Sequence, residues 1–188
     1  MISLELRSAA RFLCSVAAAL LLSAAGALAA DDNVADAAGH NDAVQVRQLV
    51  AGGASPNQLD DNGRTGLQLA AINDHLQIAA ILMKAQAHLD LKDKLGNTAL
   101  HYAADLGHVE MAQLLLDDGA AVDLQNQHGM TPLMVAASRG NAAIVQALLA
   151  KGANVNKTDY TGRDALGWAS ENHRPVIVQM LERAGAKH

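Results

Sequence analysis

The sequence predicts an all-α repeat solenoid, in which short helical hairpins stack side by side. Two observations carry this prediction. The segment GNTALHYAADLG at 96–107 returns as GMTPLMVAASRG at 129–140, which is 33 positions later. Each period also contains two short segments with apolar residues at i, i+3 and i+4, separated by turns that contain glycine. Such segments form amphipathic helices that are too short to be stable alone and need neighbouring copies.

The 33-residue period continues through five copies without insertion or deletion. The predicted repeats are 33–59, 60–92, 93–125, 126–158 and 159–188, called repeats 1 to 5 below. Glycines and leucines recur at the same position of each period, as in Gly63, Gly96, Gly129 and Gly162, or Leu82, Leu115, Leu148 and Leu181. Repeats 1 and 5 are more polar, as the ends of a stack must be to stop further stacking.

Repeat 4 illustrates how each helix is specified. Thr131 is a good N-cap, and Pro132 follows at the first helical position, where its missing N–H costs nothing. The first helix then places one apolar face on Leu133, Ala136 and Ala137. A turn around Gly140 leads to a second helix with larger aliphatic residues, and Gly152 ends that helix in the left-handed conformation.

Repeat 2 departs from this pattern in two of its turns. Asp74 stands where repeats 3 and 4 have glycine, and Gln86 stands where all other copies have glycine. We expect both residues to adopt positive φ, at a cost of about 1 kcal/mol for Gln86 and less for Asp74.

These residues resemble the ankyrin repeat, whose pattern Gly-x-Thr-Pro-Leu-His-x-Ala-Ala and later Leu-Leu-x-x-Gly-Ala they follow. The best copies are GNTALHYAADLGHVEMAQLLLDDGAAVD and GMTPLMVAASRGNAAIVQALLAKGANVN, and the resemblance extends from Asn33 to Ala186. It implies a curved stack of helix-turn-helix pairs with β-hairpin or loop fingers along one edge. It also implies a protein-binding surface on the concave face and the hairpin tips. The chain resembles exported bacterial ankyrin-repeat proteins of the periplasm.

Residues 1–29 are predicted to be a signal peptide. MISLELRSAAR has two arginines and one glutamate, FLCSVAAALLL is an apolar run of eleven residues, and the segment ends in Ala27-Leu28-Ala29. This order is typical of a secretory signal cleaved after Ala29. The alternative is an uncleaved anchor, because Phe12 to Ala30 is nineteen mostly apolar residues. We expect 30–188 to be a periplasmic ankyrin-repeat domain; the alternatives are a secreted or a membrane-anchored protein.

The charge of the mature chain argues against two classes of partner. Removing residues 1–29 takes away Arg7, Arg11 and Glu5 and changes the net charge from −5 to −6. Nucleic acids and anionic membranes both require a basic surface, so neither is expected as a partner. Cys14 is the only cysteine, so the mature chain has no thiol and no disulfide.

No motif for catalysis or for a cofactor is found. The chain lacks a G-x-S-x-G elbow, a phosphate-binding glycine loop and an H-E-x-x-H zinc motif. Three histidines are expected to make structural hydrogen bonds: His75, His101 and His108. The other five are expected to be solvated: His40, His88, His128, His173 and His188.

The expected function is a non-enzymatic, monomeric protein-protein interaction module that binds a periplasmic partner. The alternatives are a secreted effector acting on host proteins and a histidine-dependent metal-binding protein. Tyr102 and Trp168 are expected to pack against the helix layer. Carried over from the resemblance, the predicted protein-binding residues are Asp61, Asn62, Arg64, Ile72, Lys94, Leu95, Asn97, Leu106, Gln127, His128, Met130, Arg139, Tyr160 and Arg163. We expect the apolar members of this set to supply affinity and the arginines to supply orientation.

Overall fold

The computed structural model describes residues 33–186, which belong to a unit that begins at Asn33. The predicted signal peptide, 1–29, and His188 lie outside the described residues. Ten α-helices occur between residues 33 and 186, one pair in each predicted repeat. They are α1 (Val34–Gly39), α2 (Ala43–Ala51), α3 (Gly66–Ile72), α4 (Leu76–Lys84), α5 (Ala99–Leu106), α6 (Val109–Asp117), α7 (Pro132–Arg139), α8 (Ala142–Ala150), α9 (Ala165–Glu171) and α10 (Pro175–Arg183).

The helices form two layers. Each first helix packs against the first helices of the neighbouring repeats, and each second helix packs against the neighbouring second helices. The first layer buries alanines completely, namely Ala70, Ala71, Ala103, Ala104, Ala136 and Ala137. The second layer buries larger side chains, including Ile78, Leu82, Met111, Leu115, Ile144 and Leu148. One continuous core therefore runs through all five repeats, and the predicted all-α repeat solenoid is confirmed.

The connections between repeats contain less β structure than the β-hairpins that the resemblance implies. The described residues contain one isolated antiparallel bridge, Leu59 to Thr65, and no extended strand. Four five-residue turns, here called fingers, occupy residues 60–64, 93–97, 126–130 and 159–163. In each finger the first residue donates its backbone N–H to the carbonyl of the fifth, over 2.8–3.0 Å. Five residues are too few for a two-stranded ribbon, so each finger is a closed loop.

The predicted threonine caps are confirmed at the first helices of repeats 2 to 4. Thr65 Oγ1 accepts the N–H of Gln68, while Gln68 Oε1 accepts the N–H of Thr65 over 2.7 Å. Thr131 and Met134 form the same reciprocal pair through the methionine sulfur. At Thr98, His101 Nδ1 accepts the Thr98 N–H over 3.2 Å and lies 2.9 Å from Thr98 Oγ1. Each cap satisfies backbone donors that a helix start leaves free.

Two of these capping side chains also reach the next finger. Gln68 Nε2 donates to the carbonyl of Asn97 over 2.8 Å, and His101 Nε2 lies 3.1 Å from the carbonyl of Met130. Met134 has no group that could make such a bond. The predicted structural role of His101 is therefore confirmed, and its ring joins repeat 3 to repeat 4.

The other two structural histidines bridge repeats at the opposite end of the helices. His75 Nδ1 lies 3.1 Å from the carbonyl of Ala38, and His108 Nε2 lies 3.2 Å from the carbonyl of Ile72. Each thus contacts the end of the preceding first helix, which confirms the prediction. Four histidines predicted to be solvated are exposed: His40, His88, His128 and His173.

Positive φ occurs at three fixed positions of the repeat. Asp74 has φ of 56° and Gln86 has φ of 63°, as predicted. Asn41 and His173 share the position of Asp74, and glycine holds every other left-handed position. The period therefore imposes the left-handed conformation even where the residue is not glycine. None of the described helices has the length and hydrophobicity needed to span a lipid bilayer.

Replacing Gln86 with glycine should stabilise the protein. The left-handed conformation costs a residue with a Cβ about 1 kcal/mol, and the greater freedom of glycine when unfolded offsets part of the gain. We expect Gln86→Gly to raise the free energy of unfolding in urea by about 0.5 kcal/mol. Gly119 occupies the same position in repeat 3, and an added Cβ there would meet nothing within 4 Å. Gly119→Ala is therefore the matched control and should lower stability; equal stability of all three proteins would contradict the interpretation.

The stability of the protein should fall between about pH 6.5 and pH 4 because of His101. Burial is the largest influence on this ring and lowers its pKa to about 4, although the bond to the Met130 carbonyl acts in the opposite direction. The unfolded chain therefore binds a proton in this interval that the folded chain does not. The stability that neutral His101 contributes is complete above about pH 6.5, is lost as the pH falls towards 4, and is on the order of 3 kcal/mol.

Gln68 occupies the position of His101 in repeat 2 and makes the same bonds without a titratable group. His101→Gln should therefore keep stability near pH 7 and remove most of the loss between pH 6.5 and pH 4 in urea titrations. An unchanged pH profile would show that the acid sensitivity has another source.

Candidate protein-binding site

Each finger begins with a residue whose side chain closes the loop. These residues are Asp60, Asp93, Asn126 and Asp159, at the 33-residue period. The Oδ1 atom of each accepts the backbone N–H groups of the second and fourth residues that follow, over 2.7–3.1 Å. This is the local bonding by which Asp and Asn stabilise turns. The sequence analysis missed these four residues, although their regular spacing was a visible signal.

The second oxygen of each aspartate also has a partner. Arg64 donates to Asp60 Oδ2 through Nε and Nη2, over 3.0 and 2.8 Å. The hydroxyl of Tyr102 donates to Asp93, and Trp168 Nε1 donates to Asp159 over 2.9 Å. Tyr102 and Trp168 are half-buried against the core, as predicted. The prediction did not include their second role, which is to hold a finger against the first helix of its own repeat.

Asn126 differs from the other three because its repeat offers no donor. Met130 occupies the position of Arg64 and Val135 the position of Tyr102, and neither side chain can donate a hydrogen bond. Because Asn126 is an amide rather than a carboxylate, no carboxylate oxygen is left without a donor at this position. Asn126 Nδ2 instead donates to Asn97 Oδ1 over 2.9 Å, which links the fingers of repeats 3 and 4.

The titration of the finger residues reflects these bonds. Burial by itself would raise the pKa of Asp60, but hydrogen bonds and the charge of Arg64 outweigh burial and lower the pKa. The pKa of Asp159 is likewise lowered, because the bonds from Thr161, Arg163 and Trp168 outweigh its burial. Burial, assisted by Asp93, raises the pKa of Tyr102 to about 12. Asp60 and Asp159 are therefore ionised, and Tyr102 is a neutral donor, at physiological pH.

The fingers also support one another. Gln127 donates its backbone N–H to the Leu95 carbonyl over 3.0 Å, and Tyr160 donates to the His128 carbonyl over 3.2 Å. The Tyr160 ring lies on the backbone of the preceding finger, where a Cβ at Gly129 would come within 2.7 Å of the ring. Despite this support, Tyr160 is 74% exposed. The last finger therefore presents an aromatic side chain to solvent from a fixed position.

The structure brings eight of the fourteen predicted binding residues into two grooves on one surface. This surface, called the inner face, lies between the fingers and the first helices. A groove of about 400 Å³ at repeats 1 and 2 includes Asp61, Asn62, Arg64 and Ile72. The central groove, of about 380 Å³ at repeats 3 to 5, includes Asn97, His128, Met130 and Arg139. Tyr102, Asp105, Val135, Ser138 and Trp168 also line the central groove.

The remaining six predicted residues lie outside the two grooves. Lys94 and Gln127 connect two neighbouring fingers, because Gln127 Nε2 donates to the Lys94 carbonyl over 2.6 Å. Leu95 and Leu106 are 54% and 49% exposed and join Tyr160 as apolar side chains open to solvent. Ile72 and Met130, by contrast, are half-buried, so only part of each side chain is accessible to solvent. Arg163 is exposed beside Trp168.

The three predicted arginines already have carboxylate partners. Arg64 pairs with Asp60 over 2.8 Å, Arg139 with Asp105 over 2.6 Å, and Arg163 with Glu171 over 3.1 Å. The Arg163 guanidinium also lies 5.1 Å from the centre of the Trp168 ring. The bond from Asp105 raises the pKa of Arg139. The exposed pairs of Arg139 and Arg163 contribute little to stability, so their effect is to fix the geometry of the face and balance its charge.

Among residues 33–186, no three His, Cys, Asp or Glu side chains are grouped closely enough to hold a metal ion. The fingers carry the exposed apolar side chains of Leu95 and Tyr160 on hydrogen-bonded loops, beside the paired charges of the inner face.

Asn126→Asp should destabilise the protein by about 1–2 kcal/mol, because it buries a carboxylate whose second oxygen has no donor. Asp93→Asn provides the comparison, since it keeps the loop-closing bonds at Oδ1 and replaces Oδ2 with an amide NH2 that can donate to the Tyr102 hydroxyl. The free energy of unfolding in urea should fall more for Asn126→Asp than for Asp93→Asn. The reverse order would show that the missing donor at Val135 does not determine the choice of Asn126.

Comparison with known proteins agrees with this architecture. A family model described as "Ankyrin repeats (3 copies)" matches residues 34–126 and 118–188. No curated protein matches the chain. Because the matched segments cover well over half of the sequence and coincide with the helix pairs, the chain belongs to the ankyrin-repeat family.

Proposed function

We propose that this protein is a non-enzymatic, monomeric binding module of the bacterial periplasm that holds a partner protein on its inner face and finger tips. Ankyrin repeats generally mediate protein-protein interactions and are typically not enzymes. The observation that carries the proposal is the row of three linked fingers, 93–97, 126–130 and 159–163, with Leu95 near one end and Tyr160 near the other. Both side chains are more than half exposed on loops that hydrogen bonds hold in place.

The chemistry of the inner face supports a protein rather than a charged polymer as the partner. Its three arginines are paired with carboxylates, so it has no free basic patch to attract nucleic acid. Tyr160 is of a residue type that often dominates the affinity of protein interfaces, and Leu95 and Leu106 add exposed apolar surface beside it.

The periplasmic location rests on the sequence. The order of basic, apolar and small residues in 1–29 supports export, and the absence of cysteine from residues 30–188 suits an oxidising compartment.

Leu95→Asp and Tyr160→Ala should each abolish binding of the natural partner. Loss of a central aromatic or apolar contact typically costs 2 kcal/mol or more, which is a reduction in affinity of about thirtyfold. The test immobilises the protein, exposes it to periplasmic extract of the source organism, and quantifies retained proteins by mass spectrometry.

The control is Val176→Asp. Val176 is 63% exposed, like the two test residues, but it lies on α10 in the second-helix layer. This variant should retain the partner, and all variants should keep the wild-type circular dichroism spectrum. Equal retention by the wild type, Leu95→Asp and Tyr160→Ala would refute the assignment of the site.

A further inference from the structure

At one position of the repeat, along the inner face, the side chains differ greatly in size from one repeat to the next. This position is held by one residue of each first helix from repeats 2 to 5: Leu69, Tyr102, Val135 and Trp168. Val135 is the smallest of the four and stands between two aromatic residues. The central groove includes Tyr102, Val135 and Trp168 in its lining, so it is the space that a large side chain at position 135 would have filled. We call this space the notch.

The lining of the notch is neutral overall. Asp105 and Arg139 pair with each other, and Asp93 and Asp159, below Tyr102 and Trp168, accept hydrogen bonds through both oxygens. The apolar part of the notch is formed by Met130, Val135 and the rings of Tyr102 and Trp168. A charged group entering it would find no unpaired charge of opposite sign, whereas an apolar side chain would replace water against an apolar surface.

The walls of the notch retain hydrogen-bonding capacity of both kinds. Arg139 uses Nε towards Asp105 Oδ1, which leaves the other guanidinium N–H groups as donors and Asp105 Oδ2 as an acceptor. Asn126 uses one amide N–H towards Asn97, which leaves the second. A peptide backbone, which carries one donor and one acceptor per residue, complements such walls.

We propose that the notch binds one bulky apolar side chain, aromatic or leucine-like, from an extended segment of the partner protein. The proposal rests on the function proposed above and specifies how the partner is recognised. The volume of about 380 Å³ lies at the low end of the range for sites that enclose small ligands. It has room for one large side chain and the backbone beside it. Leu95 and Tyr160, on the fingers beside the groove, then contact the flanking residues of the segment.

A variant that fills the notch can be designed from the sequence of repeat 5. Repeat 5 combines Asp159 with Trp168, and repeat 4 has Asn126 and Val135 at the same positions. The double variant Asn126→Asp/Val135→Trp copies the solution of repeat 5 into repeat 4, with the introduced indole N–H paired to the introduced carboxylate. We expect this variant to fold, since it restores the donor that Asn126→Asp alone lacks.

The test uses a phage-displayed library of random ten-residue peptides, selected on the full chain. Enriched peptides should share one Trp, Phe, Tyr or Leu at a fixed position. Synthetic copies of them, followed by fluorescence polarisation, should lose at least tenfold in affinity when that residue is changed to Ala. They should lose a similar factor on the double variant. Failure to enrich such peptides, or equal binding to the double variant and the wild type, would overturn the proposal.

A second measurement on the wild-type protein removes the dependence on how the variant folds. N-acetyltryptophanamide is titrated into ¹⁵N-labelled protein, with N-acetylglycinamide as the control compound. Chemical shift changes should appear at Asn126, Met130, Val135 and the Trp168 indole, and only with the aromatic compound. Changes confined to other regions, or none up to the solubility limit, would also overturn the proposal.

These outcomes are distinguishable from failure of the proposed function. If the natural partner still depends on Leu95 and Tyr160 but no peptide or amide enters the notch, the protein is a binding module that does not use this recognition mode. If partner retention is also insensitive to Leu95 and Tyr160, both the assigned site and the notch are wrong.

Discussion

No helical hairpin of this chain can bury its apolar face by itself, because each helix has only six to nine residues and a single apolar stripe. The packing of each hairpin on its neighbours is therefore the interaction on which the rest of the structure depends. Alanines in the first layer let the inner helices approach closely, while the aliphatic residues of the second layer fill a wider space. The two layers thus differ in the size of their buried side chains, and the fingers and the two grooves of the inner face lie along the alanine-rich layer.

The same period that stacks the helices also places the fingers. Since an Asp or Asn heads each finger at the same register, every loop closes in the same way and each lies beside the next. The inner face is consequently a series of equivalent sites that vary only in their side chains. Differences between repeats, such as Val135 between Tyr102 and Trp168, can therefore give the surface its binding specificity.

The sequence was sufficient to predict the fold, because the determining residues act within one period: the Thr65 and Thr131 caps, the apolar stripes and the left-handed positions that include Gln86. The site was only partly predictable. Exposure of Leu95 and Tyr160 follows from their place in the repeat, but the pairing of Arg139 with Asp105 joins residues 34 positions apart on different helices. Such pairings depend on side-chain geometry across repeats, which the spacing of residues in one chain does not specify.

The buried bonds that tie a first helix to the following finger are unevenly distributed. Gln68 provides one between repeats 2 and 3 and His101 provides one between repeats 3 and 4, but Met134 has no hydrogen to offer to the finger of repeat 5. Both terminal hairpins therefore lack this tie, since Ala35 holds the corresponding position in repeat 1. Trp168 belongs to the C-terminal hairpin and lines the central groove together with residues of repeats 3 and 4, so a ligand lying there adds a connection across the junction that the buried bond does not bridge.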